Sequence, residues 1–379
     1  MKKRILIFST AYLPLVGGAE VAVKEITDRL SDFEFVMITA RLDDKLLIYE
    51  KIGNVEVYRL GDGNNWDKYR LILDGWKKAH ELGKFDVVWS IMASYAGFAA
   101  LRFKKRNLSV PFLLTLQEGD SRFDIYKHVW WCWPYFKQIF SHADKIQAIS
   151  NYLARWAKDM GAKCSIEVIP NGVDVKKFLI SNYQISGGIN NVRNELGLSA
   201  DDKIIITVSR FVKKNGIGDL IEAMRYLNID NHLIIIGSGE LEDDLKLLVK
   251  QNGLEDRIHF LGGKNHKELP EYLWSSDVFC RPSLSEGLGN VFLEAMAAGV
   301  PVVGTKVGGI PDFLVNGETG LFCEAKKPED IAKKIKIILD DQELREKLVN
   351  NARKLVEEKY SWKLISEKMK NIFYNLCAS

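Results

Sequence analysis

The chain is built from short apolar runs, each too short for a helix, that alternate with stretches whose apolar positions recur at helical spacing. In the first half the runs fall at residues 5–9, 35–39, 55–60, 87–90, 112–116 and 145–149, and the helical stretch at 19–30 is the clearest of those between them. A further run at 166–169 enters the turn Pro170-Asn171-Gly172-Val173-Asp174. The alternation then restarts, with runs at 204–209, 232–236, 258–261, 278–281 and 301–304 and helical patterns at 217–227, 241–252, 266–275 and 290–298. Strands that are apolar throughout, with helices between them, belong to parallel sheets covered on both faces. The expected fold is therefore α/β: two doubly wound, Rossmann-like parallel-sheet domains facing across a cleft. The expected domains are residues 1–180 and 190–361, with the polar, glycine-containing stretch 181–194 as linker. Amphipathic helices at 328–339 and 341–359 close the second domain, and a last helix, 362–379, is expected to rejoin the first. Sheets of this kind bind ligands at the carboxyl ends of their strands.

A chain of 379 residues exceeds one ordinary core, and 47% hydrophobic with 27% charged residues is a globular composition. The net charge of +3 is uneven: residues 1–180 carry 27 Lys+Arg against 21 Asp+Glu, with a cluster at Arg102, Lys104, Lys105 and Arg106. No helix-turn-helix, zinc-finger or basic-arm pattern accompanies that charge, so no nucleic-acid partner is expected. The scattered Cys132, Cys164, Cys280, Cys323 and Cys377 lack metal spacing and read as reduced thiols of a cytoplasmic protein. No stretch approaches the ~20 apolar residues that span a bilayer, which leaves peripheral contact with a membrane as the only expected kind.

Chemistry is concentrated in Ser285-Glu286-Gly287-Leu288-Gly289-Asn290-Val291-Phe292-Leu293-Glu294. A strand ends, a loop with two glycines follows, and a helix starts. Glycines allow close backbone approach, and the helix start offers unpaired N–H groups to a diphosphate. Glu294, about one turn into the helix, is placed to accept two ribose hydroxyls. Glu286, before the helix, is placed to meet the hydroxyls or the developing charge of a sugar. A plain strand–turn–helix with two surface glutamates would carry the same letters.

This segment resembles the E-x7-E signature of the family 4 retaining glycosyltransferases, with Glu286 and Glu294 in the acidic places. Gly299-Val300-Pro301-Val302-Val303, Val307-Gly308-Gly309-Ile310-Pro311 and Asn316-Gly317-Glu318-Thr319-Gly320 resemble that family too, and the likeness runs in order from Tyr12 to Trp362. It implies the GT-B fold, with the donor nucleotide on the C-terminal domain. It also implies transfer of a hexose from a UDP- or GDP-sugar to a glycan, lipid-linked or small-molecule acceptor, with retention at the anomeric carbon. No metal and no cofactor is implied, the nucleotide sugar being a substrate, and the expected setting is cytoplasmic or peripheral at the inner face of the membrane. A nucleotide-sugar-binding scaffold without turnover, or a GT-B epimerase, are the alternatives.

Other motifs take their roles from this resemblance. Gly17 and Gly18, at the turn after the first strand, correspond to glycines beside the donor diphosphate. Gly237 and Gly239 lack the third glycine of a dinucleotide fingerprint and resemble the family's loop near the nucleotide, as Gly287, Leu288, Gly289 and Asn290 resemble the donor-binding helix start. Arg210 and Lys214 are the expected cationic partners of the diphosphate and, with Glu286, the expected catalytic group. The family usually shows a lysine where Asn215 stands, so Lys213 is an alternative to Lys214. Gln117, Glu118 and Asp120 fall on the acceptor side. Relatives often carry histidine at position 117, and glutamine cannot act there as a base. Finally, Val129-Trp130-Trp131-Cys132-Trp133-Pro134-Tyr135-Phe136, with Lys127 and Lys137 beside it, suits a membrane interface, a sugar-stacking groove or simply core.

Overall fold

The computed structural model describes residues 2–179 and 188–378, and the chain divides into two compact units, Met1–Gly172 with Trp362–Ser379, and Val173–Ser361. The first unit is built on eight strands: β1 (Lys3–Ser9), β2 (Phe33–Ala40), β3 (Tyr49–Ile52), β4 (Val55–Leu60), β5 (Val87–Ile91), β6 (Phe112–Leu116), β7 (Lys145–Ala148) and β8 (Ser165–Val168). Their order across the sheet is β3-β4-β2-β1-β5-β6-β7-β8, and every pairing is parallel except β3 with β4. The central strand β1 has Ile5, Leu6, Ile7 and Phe8 fully buried, as helices on both faces require. The antiparallel β3 has no counterpart in the sequence reading. It is a short, half-exposed edge strand folded back at Gly53, and such edges lack the apolar signature of a central strand.

The second unit holds β9 (Lys203–Val208), β10 (Asn231–Ile236), β11 (Ile258–Phe260), β12 (Val278–Arg281), β13 (Val302–Thr305) and β14 (Leu321–Cys323). These six form an all-parallel sheet in the order β11-β10-β9-β12-β13-β14. β14 was not among the expected strands; its three residues follow directly on the turn Asn316–Gly320.

The helix Trp362–Ala378 packs on the first unit. Trp362, Ile365, Met369, Ile372, Phe373 and Leu376 share one face and enter the core around β1 and β2. Phe373 sits at the centre of an aromatic cluster, with ring centroids 5.5 Å from Phe33, 6.0 Å from Phe35 and 5.1 Å from Trp89.

Three boundaries differ from the sequence reading. The change between units falls at Gly172/Val173 rather than near residue 180, because Val173 donates its N–H to the Tyr360 carbonyl (2.7 Å) and Trp274 donates its indole N–H to the Phe178 carbonyl (2.8 Å). Of the expected linker, residues 181–187 lie outside the described residues, and the helix Gly188–Glu195 occupies the rest. The helix expected from residue 266 begins only at Leu269. The Asn265 side chain accepts the N–H groups of Lys267 and Glu268, which holds 265–268 as a turn and leaves His266 on a loop.

Candidate active site

In the second unit the carboxyl ends of β9, β10 and β12 are neighbours, and their loops are tied together by backbone hydrogen bonds. The Lys214 carbonyl accepts from the Leu284 N–H at 2.6 Å, joining the loop after β9 to the loop after β12. The Phe211 N–H donates to the Ser238 carbonyl (2.9 Å), joining the first of these to the loop after β10. Three segments singled out separately in the sequence thus form one continuous surface.

Arg281, the last residue of β12, organises the acidic pair. Its buried guanidinium is ion-paired with Glu286, donates from Nε to Ser283 Oγ at 3.1 Å, and lies over the Phe292 ring at 5.2 Å. Burial pulls this group down to about 10, opposed by the negative charge of Glu294, and it remains protonated at neutral pH. Sequence reading treated Arg281 only as the end of a strand. The available signal was an arginine closing an otherwise apolar strand, five residues before a glutamate.

Glu286 also accepts the Gly287 N–H at 3.1 Å, while its carbonyl accepts the Gly309 N–H at 3.2 Å. Gly308, at φ +54°, lies so close to this segment that a Cβ would overlap the Glu286 carbonyl. The Val307–Ile310 turn thereby fixes the backbone that carries Glu286.

The helix Asn290–Ala298 starts after Gly289, with Leu288 buried, and no side chain caps its first N–H groups. The positive end of the helix dipole there favours an anion. Glu294, one turn on, is mostly buried and meets His266, whose Nε2 lies 2.9 Å from Oε1. The other ring nitrogen of His266 contacts the Lys177 ammonium, which can only donate. His266 thus links the Lys177 ammonium to the Glu294 carboxylate. This Lys177–His266–Glu294 chain was absent from the sequence reading, because its three members lie far apart in the chain.

Arg210 is exposed, Lys213 is exposed and Lys214 is half-buried in a single 3-10 turn, Lys213–Asn215. Asn215 is buried and donates its amide to the Arg210 carbonyl at 2.7 Å. The residue in the family's lysine place therefore shapes the loop. Gly237 and Gly239 pack on the backbone of Ser209 and Phe211, where a Cβ would collide. Close packing within the protein accounts for both glycines as well as a ligand would.

In the first unit Gly17 precedes the helix Gly18–Arg29, and Gly18 opens it. The preceding loop is held by the buried Arg59, which donates to the Leu13 and Leu47 carbonyls at 2.6 and 2.9 Å and pairs with Glu50 at 2.5 Å. At the end of β6, Gln117 accepts from the buried Asn171 at 3.1 Å, and Asp120 is exposed. Glu118 accepts the Ala93 N–H at 2.6 Å through Oε1, while Oε2 is buried without a hydrogen-bond partner among the described residues. Burial pushes its carboxyl up to about 7. Ala93 follows Met92, which stands at φ +68°, strained for a non-glycine residue and pinned by its N–H to the Thr115 carbonyl at 2.8 Å. That kink turns the Ala93 N–H toward Glu118.

Among the described residues no group of acidic, histidine or cysteine side chains could hold a metal, and no helix is long and apolar enough to cross a membrane.

Two family models match. The one described as "Glycosyltransferase Family 4" covers residues 16–177, and "Glycosyl transferases group 1" covers residues 188–355. An uncharacterized glycosyltransferase of Methanocaldococcus jannaschii is 28% identical over 94% of both chains. A second from that organism is 38% identical over 55% of this chain, which spans only 53% of that relative's length. The N-acetyl-alpha-D-glucosaminyl L-malate synthase of Bacillus anthracis is 32% identical over 53% of each. Among solved structures, sucrose-phosphate synthase from Thermosynechococcus elongatus aligns over 100% of both chains with a TM-score of 0.87 at 22% identity. Anabaena HepE in complex with UDP and glucose aligns over 98% of this chain and 100% of its own, with a TM-score of 0.81 at 20% identity.

Proposed function

Since the chain belongs to the family 4 glycosyltransferases and has their GT-B fold, we propose that it transfers a hexose from a UDP- or GDP-sugar to a glycan or lipid-linked acceptor, with retention at the anomeric carbon. The observation that carries this reading is the pair Glu286 and Glu294 gathered around Arg281, at a helix start beside the Arg210–Lys214 loop. Such a surface has acidic acceptors for hydroxyls next to cationic and N–H donors for a diphosphate. The names of relatives agree in kind: one Corynebacterium glutamicum relative is a GDP-mannose-dependent mannosyltransferase, 31% identical over 62% of this chain.

In this reading Glu294 holds the ribose, and Arg210, Lys214 and the N–H groups of Gly289 and Asn290 hold the diphosphate. Glu286, aligned by Arg281, meets the hydroxyls of the transferred sugar. The bond from the anomeric carbon to the β-phosphate oxygen breaks, and a bond from an acceptor hydroxyl oxygen forms on the same face. The hydroxyl proton passes to the leaving phosphate. Donors fixed before the reaction stabilise the charge that develops on that phosphate. Gln117, Glu118 and Asp120 serve the acceptor.

The test is incubation with a panel of nucleotide sugars, with and without candidate acceptors, reading free UDP or GDP and the glycosylated product. Release coupled to an α-linked product from an α-linked donor supports the proposal. Thermal protection by a nucleotide sugar without turnover would indicate a binding scaffold, and conversion of the donor to its epimer would indicate an epimerase.

A further inference from the structure

The segment from Arg122 to Cys132 has no buried residue: the helix Arg122–Val129 and the 3-10 turn Trp130–Cys132 lie on the first unit rather than in it. Its inner side is nonetheless anchored. Tyr126 accepts the Trp156 indole N–H at 3.1 Å and packs edge-on against Trp133 at 4.9 Å, and Arg122 pairs with Asp159 at 2.7 Å. The outer side is aromatic. Phe123, Trp130 and Trp131 are 75%, 74% and 68% exposed, and Tyr135 in the next helix is 61% exposed. Phe123 and Trp130 are two helical turns apart and so share a face.

Cations border this apolar surface. Lys127 lies between Phe123 and Trp130 at helical spacing, and Lys137 is exposed just beyond Tyr135. Lys105, at the end of the helix Tyr95–Lys104, stands over the Tyr135 ring at 5.3 Å, which joins the basic cluster of 102–106 to the aromatic one. No ion pair engages Lys105, Lys127 or Lys137 among the described residues, whereas Lys104 is spent on Asp144 at 2.8 Å.

Tryptophans with their bodies in the apolar layer, tyrosine at the headgroups and lysines reaching phosphates form the pattern of a membrane-interface anchor. We propose that the first unit docks on an anionic lipid surface through Phe123, Trp130, Trp131 and Tyr135, with Lys105, Lys127 and Lys137 facing the headgroups. The charge selects this occupant: Lys105 donates to Gln138 Oε1 at 2.5 Å but, like Lys127 and Lys137, has no anionic partner among the described residues, and a neutral glycan would use the aromatics but gain nothing from that positive border. The proposal stands apart from the transferase reading, because binding is read without turnover.

The test is flotation of the full chain with vesicles of phosphatidylcholine alone and of phosphatidylcholine with phosphatidylglycerol, together with tryptophan quenching by brominated lipids. Binding should require phosphatidylglycerol, weaken with salt and quench tryptophan. Trp130→Ala with Trp131→Ala should lower the partition coefficient about tenfold or more. Lys127→Glu with Lys137→Glu should each remove roughly fivefold or more. All four side chains are exposed, so both variants should keep the wild-type circular dichroism. Equal binding to both vesicle types, no binding to either, or unchanged partition in both variants would overturn the proposal. So would a vesicle-independent dimer that the tryptophan variant abolishes, since the patch would then join copies of the chain.

Discussion

The guanidinium of Arg281 is ion-paired with the carboxylate of Glu286 at the end of β12, beneath the helix that carries Glu294. A planar, always-charged fork at this place fixes the direction of Glu286 in a way a flexible side chain could not. Arg281→Met should cost about 3–5 kcal/mol of stability, because it leaves a partly buried carboxylate without its partner. Urea unfolding would measure the loss. Arg281→Lys should keep most of the stability and lower turnover, since the charge remains and the fork is gone.

The two glutamates should separate in kinetics. Glu294→Ala should weaken nucleotide binding about tenfold or more, as expected for loss of hydrogen bonds from a charged group. Glu286→Ala should lower kcat more than it changes donor KM. Calorimetric titration with UDP and GDP beside steady-state rates would show this, and wild-type behaviour in both variants would remove the site assignment.

Lys213 and Lys214 share a turn but differ in surroundings. Lys214 is half-buried with its carbonyl tied to Leu284, while Lys213 points to solvent. Lys214→Ala should lower kcat/KM strongly and Lys213→Ala by less than twofold or so, within the small effects usual at exposed positions. Asn215→Ala should also reduce turnover, by releasing the Arg210 carbonyl.

Glu118 should make stability depend on pH. In the fold its carboxyl keeps a proton to about pH 7, against an ordinary value of 4.5. Below both values each state holds the proton. Between them the unfolded chain ionises while the folded chain does not, so stability falls as pH rises and levels off above about 7. The descent should amount to up to roughly 3 kcal/mol. Glu118→Gln should flatten it, as melting temperatures across that range would show.

Phe373→Ala should cost about 3–5 kcal/mol, since the ring fills a cluster with Phe33, Phe35 and Trp89. Denaturant unfolding would measure it.

The alternation of buried strands and helices, and the glycine loop between β12 and its helix, were legible in the sequence because they depend on local spacing. The helix Asn290–Ala298 and the strands β4, β6 and β12 fall where that spacing puts them. The edge strand β3 escaped it, because a half-exposed strand carries no apolar run, and β14 was not expected either.

What the order of residues determined by itself was the class of fold and the acidic pair, each written within a few turns of chain. Only the tertiary structure decided which cation Glu286 pairs with, that His266 reaches Glu294, that Asn215 shapes the Arg210 loop, and that Glu118 lies beside the strained Met92 and keeps a proton near neutrality. Each of these depends on groups that packing brings within a few ångströms or removes from water, and neither separation in space nor burial is a property of local sequence.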